Sequence, residues 1–130
     1  MAFKTNIKYN TNEFKNNIIN RFDIGSDAQY EWSRIVFWGS EPYIPFLTGA
    51  FRNRSVIASE PLFAHGELLY PGPFANYLWN GLSIKGNPLN YTQLEGRAGL
   101  SGAQWVDRAR NDLIPVWIEE IKTLIDQGKV

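Results

Sequence analysis

One histidine, His65, stands between Ala64 and Gly66, and it is the only side chain here whose ordinary ionisation falls near neutral pH. A hydrolytic triad would set it beside an activated serine. None of Ser26, Ser33, Ser40, Ser55, Ser59, Ser83 or Ser101 occupies a Gly-x-Ser-x-Gly elbow, so His65 reads as a solvated turn residue. Zinc takes several Cys or His ligands, and calcium needs oxygens at fixed spacing; with no cysteine, one histidine and no Asp-x-Asp-x-Asp-Gly stretch, the sequence offers neither. Glu119 and Glu120 are neighbours on a predicted helix and so point apart, which suits surface charge better than a catalytic carboxylate pair. Gly96-Arg97-Ala98-Gly99 lacks the Lys-Ser/Thr of a phosphate-cradling loop. These patterns predict a protein that is not an enzyme, with no cofactor and no metal.

Two groups are suited to contact rather than reaction. Arg52, Arg54, Arg108 and Arg110 could touch a nucleic acid backbone, but Asp107 and Asp112 accompany the second pair, and a solvated mixed-charge face is the expectation. Tyr70, Phe74, Tyr77 and Trp79 are interrupted by Pro71, Pro73 and Gly81. Flat amphipathic rings held near a surface suit a sugar platform, a subunit contact or the core.

Such residues have to be positioned by a small scaffold. The chain has 130 residues, 44% hydrophobic and 15% aromatic, with five tryptophans. That is enough apolar surface for one core, and no linker-like stretch divides it, so residues 1–130 are expected to form a single domain. Thirteen basic residues balance thirteen acidic ones, and no net field draws the chain to nucleic acid or an anionic membrane. The absence of cysteine leaves stability to packing and assembly. No apolar run reaches the roughly 18 residues of a membrane span, and the first residues lack the apolar stretch of a secretory signal; a soluble protein made in the cytoplasm is expected.

Phe3, Thr5, Ile7 and Tyr9 alternate with Lys4, Asn6, Lys8 and Asn10, the period of a strand. After Asn10-Thr11-Asn12, the stripe Phe14, Ile18, Phe22 and then Ala28, Trp32, Ile35, Val36 predicts a long N-terminal helix. Gly25-Ser26, with a capping box from Ser26 to Gln29, makes it one bent helix or two in succession. Pro42 ends the pattern. Arg54 to Ser59 and Gly66 to Tyr70 suit a loose hairpin, Phe74 to Asn80 a short helix and Leu82 to Lys85 an edge strand. Gly86 to Gly102 exceeds an ordinary connection of about 4 to 6 residues and reads as a long loop. A capping box from Ser101 to Gln104 then opens a long C-terminal helix with the stripe Trp105, Ala109, Leu113, Val116, Trp117, Ile121, Leu124, Ile125, kinked at Pro115. The predicted architecture is α+β, a small antiparallel sheet packed against the long N-terminal and C-terminal helices.

Three segments carry a resemblance. Tyr43-Ile44-Pro45-Phe46-Leu47-Thr48-Gly49-Ala50-Phe51-Arg52 resembles the Y-I/V-P-x-x-T-G-x-L-R segment of the small minor capsid and head-tail connector proteins of tailed bacteriophages. Pro73 to Gly81 is similar to that family's P-Y-A-x-x-x-Y-x-G stretch, and Ala103 to Ala109 to its closing P-x-W-x-x-x-A helix. Phe74 replaces the usual tyrosine and Phe51 the usual leucine, and Arg54-Ser55 lies one residue further from Gly49 than the pattern has it. The order of elements matches across nearly the whole chain.

The resemblance implies a structural virion protein that closes into a ring, a hexamer or dodecamer, at the head-tail junction, as a neck, connector or tail-completion protein. It implies neighbouring neck, portal-side or tail-tube proteins as partners, DNA passing through the lumen, assembly in the host cytoplasm and no membrane. Pro45, Thr48, Gly49 and Arg52 would shape a structural turn, since Gly49 can take positive φ and Thr48 can bond nearby backbone. Phe74, Tyr77, Trp79, Gly86, Asn90, Tyr91 and Arg97 would lie at the subunit contact. The rival reading is a monomeric carbohydrate- or surface-binding module of a virion.

Overall fold

A computed structural model describes residues 1–5, 25–46, 48–91 and 99–130. In chain order the elements are β1 (Ala2–Lys4), α1 (Asp27–Ser40), a 3₁₀ turn (Glu41–Tyr43), α2 (Ala50–Ser59), a 3₁₀ segment (Glu60–His65), β2 (Glu67–Leu69), α3 (Ala75–Asn80) and α4 (Trp105–Asp126). The fold combines helices with a two-stranded antiparallel sheet and a long C-terminal helix. The first half of the expected N-terminal helix, and the strand beyond Thr5, lie outside the described residues. Among the described residues no helix is long and apolar enough to cross a membrane.

The register of β1 on β2 is Ala2 to Leu69, Phe3 to Leu68 and Lys4 to Glu67. The expected hairpin is therefore replaced by a pairing between distant parts of the chain, and Val56-Ile57 belongs to a helix. The physical reason lies in the residues that flank it. Gly49 takes φ 83° at the start of α2, and Thr48 Oγ1 accepts from the Ala50 amide at 3.3 Å. A Cβ on Gly49 would stand 2.8 Å from the Phe46 ring, so only glycine fits there without displacing that ring. At the other end of α2 the Ser59 hydroxyl donates to the Leu69 carbonyl at 2.9 Å and accepts from the Leu69 amide at 2.9 Å. One side chain thus satisfies the β2 edge where a second hairpin strand would have paired.

Helix α1 starts as its sequence predicts, with Ser26 Oγ accepting from the Gln29 amide at 3.1 Å. The Gln29 side chain does not complete the box; it is buried and donates to Thr5 Oγ1 and Ser33 Oγ, each at 3.2 Å. Ser33 Oγ in turn donates to the Phe63 carbonyl at 2.8 Å, which leaves Thr5 as the donor in the 2.6 Å Thr5–Ser33 pair. This satisfied polar knot ties the end of β1, the first turns of α1 and the 3₁₀ segment together inside the protein.

Ala28, Trp32, Ile35 and Val36 of the predicted stripe are buried, and with Phe37 they face a core that also holds Ile44, Phe63, Leu68, Tyr70 and, from α4, Trp105, Ala109, Trp117 and Ile121. Helix packs mainly on helix here, and the two-stranded sheet closes one side. Trp105 is fully buried, with ring centroids 5.7 Å from Phe51, 5.2 Å from Tyr70 and 4.8 Å from Trp79.

The expected capping box at α4 does not form. Gln104 precedes the helix in left-handed geometry, φ 49° and ψ 45°, and its side chain makes no cap. Ser101 is buried and its hydroxyl donates to the Ile44 carbonyl at 3.1 Å, so the serine anchors a distant loop in preference to its own helix. The helix continues through Pro115, which lies on the exposed side with Asn111. Val116 departs from the predicted stripe: it is 59% exposed, whereas Trp117 beside it is buried, because adjacent helical positions are about 100° apart.

Candidate functional site

Helix α3 is short, and the chain leaves it through Gly81 into a tight reversal. The Ser83 amide donates to the Asn87 carbonyl at 2.8 Å, and the Leu89 amide returns to the Gly81 carbonyl at 2.9 Å. The edge strand expected at Leu82 to Lys85 reduces to one bridge, Leu82 to Pro88. Gly86 and Asn87 turn the chain too soon for a ladder, and Pro88 has no amide to extend it. The start of the expected long loop is thus a closed hairpin-like turn lying against α3.

Between helix and turn lies an open groove of about 450 Å³ lined by Phe74, Tyr77, Leu78, Ser83, Ile84, Lys85 and Leu89. Phe74 is 59% and Ile84 72% exposed. Exposed side chains of this size are normal singly and informative when contiguous. The Tyr91 hydroxyl donates to the Leu78 carbonyl, which pins the segment after the turn to the groove wall; burial raises the Tyr91 pKa.

Of the residues the sequence assigned to a contact, Phe74 and Tyr77 meet in this groove, and Gly86 and Asn90 are exposed on the adjoining turn and its exit. Tyr91 serves as a brace. Trp79 stands apart from them: its ring packs inward, half-buried, 4.7 Å from Phe3 and 4.8 Å from Trp105. Arg97 lies outside the described residues. Leu78, Ile84 and Leu89 also line the groove and were not singled out in the sequence. Their signal was the Gly86-Asn87-Pro88 turn, which folds Ile84 and Leu89 back towards the Phe74–Tyr77 face.

The structural-turn residues divide between two jobs. Thr48 and Gly49 start α2, as above. Arg52 sits within that helix, bonded to Glu41 at 3.2 Å with its guanidinium 5.1 Å from the Trp38 ring centroid. The arginines do not form one mixed-charge face. Arg54 and Arg110 are exposed, but Arg108 is half-buried, donates to the Ala103 carbonyl at 2.6 Å and lies 5.4 Å from the Tyr43 ring centroid. His65, Glu119 and Glu120 are exposed, and among the described residues no cluster of three His, Asp or Glu side chains could hold a metal.

Asp112 is also engaged: it accepts from the Tyr43 hydroxyl at 2.7 Å. Burial first, then the hydrogen bond and charge of Asp112, push the Tyr43 pKa up from 10.0 to about 12. Because the folded value lies above the unfolded one, the stabilisation is fully present below about pH 10 and is lost as pH rises through about 12. Burial raises Tyr70 in the same direction. Tyr43→Phe is expected to cost about 1 kcal/mol at neutral pH, since the exposed Asp112 is rehydrated when its donor is removed. It should also make stability fall less steeply between about pH 10 and 12; urea midpoints across that range would show it, and an unchanged alkaline slope would count against the coupling.

Comparison with protein-family models, with curated proteins and with solved structures finds no match for this chain.

Proposed function

We propose that this chain is a non-enzymatic structural protomer of a tailed-phage particle, assembling with copies of itself into a ring at the head-tail junction. The observation that carries the reading is the open apolar groove between α3 and the following turn, where Phe74 and Ile84 stand exposed beside Tyr77, Leu78 and Leu89. Water-exposed apolar surface of this kind is stabilised by covering it with a partner. The three motif resemblances supply the biological setting: a virion location, neck, portal-side or tail-tube neighbours, and a lumen through which DNA passes.

The sugar-binding reading fits this groove less well. Sugar hydroxyls need several aligned polar partners, and the groove offers only the side chains of Ser83 and Lys85 beside the Tyr77 phenol. The test is the solution mass of the purified protein by light scattering over a concentration series, with imaging of any large species. Closed rings are the expected product; a monomer at every concentration, with a glycan-dependent change in tryptophan fluorescence, would overturn the reading in favour of the binding module.

A further inference from the structure

A groove that is to be covered needs a complementary projection, and a second exposed apolar feature lies on the middle of α4. Pro115 and Val116 form a short exposed ridge there, Val116 by 59%; Ile118 lies about 160° round the helix from Val116 and takes no part in it. Core packing explains neither residue, because the buried side of this helix is already filled by Ala109, Trp117 and Ile121. Two exposed carboxylates, Glu119 and Glu120, follow Ile118 in the chain. Glu119 lies 3.9 Å from Lys122, its own neighbour one turn on. Glu120 falls one turn beyond Val116, on the same side of the helix.

The groove has the opposite character. Its one charged lining residue is Lys85, next to the exposed Ile84, and no ion pair involving Lys85 is formed among the described residues. The Pro115–Val116 ridge, bordered by carboxylates, thus matches an apolar groove bordered by an ammonium in polarity and charge sign. The two features are also well separated on one molecule. The groove adjoins α3, whose Trp79 meets α4 at Trp105; Val116 lies eleven residues further on, about 16 Å along the helix axis at 1.5 Å per residue. A contact between two different, separated patches is head-to-tail, and its repetition gives a ring where the rotation closes and an open filament where it does not.

Resting on the ring reading above, we infer that the occupant of the groove is the α4 ridge of a second copy of this chain, with Val116 seated against Phe74 and Ile84 and Glu120 facing Lys85. Each protomer then carries one groove and one ridge, and both are used at every position in a closed ring.

The test uses the full chain. Ile84→Asp blocks the groove and Val116→Asp blocks the ridge, and both sites are exposed enough that the fold, checked by circular dichroism, should persist. Each variant alone is expected to remain monomeric at concentrations at least tenfold above those at which the unmodified protein assembles. Mixed in equal amounts, the two should form a dimer and stop, because the intact ridge of the first fits the intact groove of the second while the remaining surfaces are blocked. Lys85→Glu should weaken assembly, and Lys85→Glu combined with Glu120→Lys should restore it. If the unmodified protein assembles and both aspartate variants assemble equally well, this contact is overturned while the ring reading stands. If the variants are monomeric but their mixture gives no dimer, the head-to-tail pairing is wrong. An unmodified protein that never self-associates overturns both.

Discussion

Trp105→Ala is expected to lower the unfolding free energy by about 4 kcal/mol, the cost of deleting a large buried ring from a core that only partly collapses around the void. Trp105 is fully buried and edge-packed against Phe51, Tyr70 and Trp79 at centroid distances of 5.7, 5.2 and 4.8 Å. These three come from α2, the end of β2 and α3, so one side chain joins the C-terminal helix to every layer on that side of the protein. Natural domains have roughly 5 to 15 kcal/mol of stability in total, and the loss would depress the melting temperature by roughly 15 °C. Trp105→Phe keeps most of the volume and should cost less than half as much. Urea unfolding of both variants checks the order; a loss below about 1 kcal/mol for the alanine would mean that the aromatic cluster is not closely packed.

The same substitution reaches the groove. Trp79 is held between Phe3 and Trp105, and the neighbouring Leu78 lines the groove. With the Trp105 ring gone, α3 has lost the support behind it. In the proposed ring, assembly of Trp105→Ala should therefore weaken even under conditions where the protein remains folded, whereas Tyr43→Phe, which removes only a hydroxyl bonded to Asp112, should leave assembly unchanged.

Much of this scaffold was legible in the residues and the reasons are specific. The α1 and α4 stripes repeat at helical spacing over many residues, and Ser26 and the Pro42 region bound α1 by local chemistry alone. Short elements were misread where a side chain served a distant partner. Val56-Ile57 has strand propensity, but the helix start at Gly49 and the Ser59 bonds to Leu69 outweigh it. Ser101 was read as a local cap and instead bonds Ile44, 57 positions away in the chain. No sequence rule for nearest neighbours contains that information. The groove was half visible for the same reason: Phe74 and Tyr77 announce themselves as aromatics between prolines and glycine, but Ile84 and Leu89 join them only through the turn geometry, and Trp79 is drawn inward by Phe3 from the other end of the sequence.

Gly39→Ala should destabilise the protein by about 3 kcal/mol, although Gly to Ala within a helix ordinarily stabilises by roughly 0.5–1 kcal/mol through reduced backbone freedom. Gly39 lies in α1 at the crossing with α4, and a Cβ built there would stand 2.3 Å from Trp117 Nε1 and 2.7 and 2.9 Å from two further indole atoms. Real side chains do not approach so closely, so either the indole or the helix must shift. The indole has little room to move, because Trp117 is buried, 3% exposed, on the packed face of α4. The sign of the effect therefore reports whether the helices touch at this point. Trp117→Ala removes the atoms that overlap and should itself cost about 4 kcal/mol as a large cavity. In the double variant the two losses should sum to more than the measured value, since the alanine methyl then occupies space the indole vacated. Urea unfolding of the two single variants and the double closes the cycle: strong non-additivity places Gly39 against Trp117, and simple addition would show that the two helices cross elsewhere.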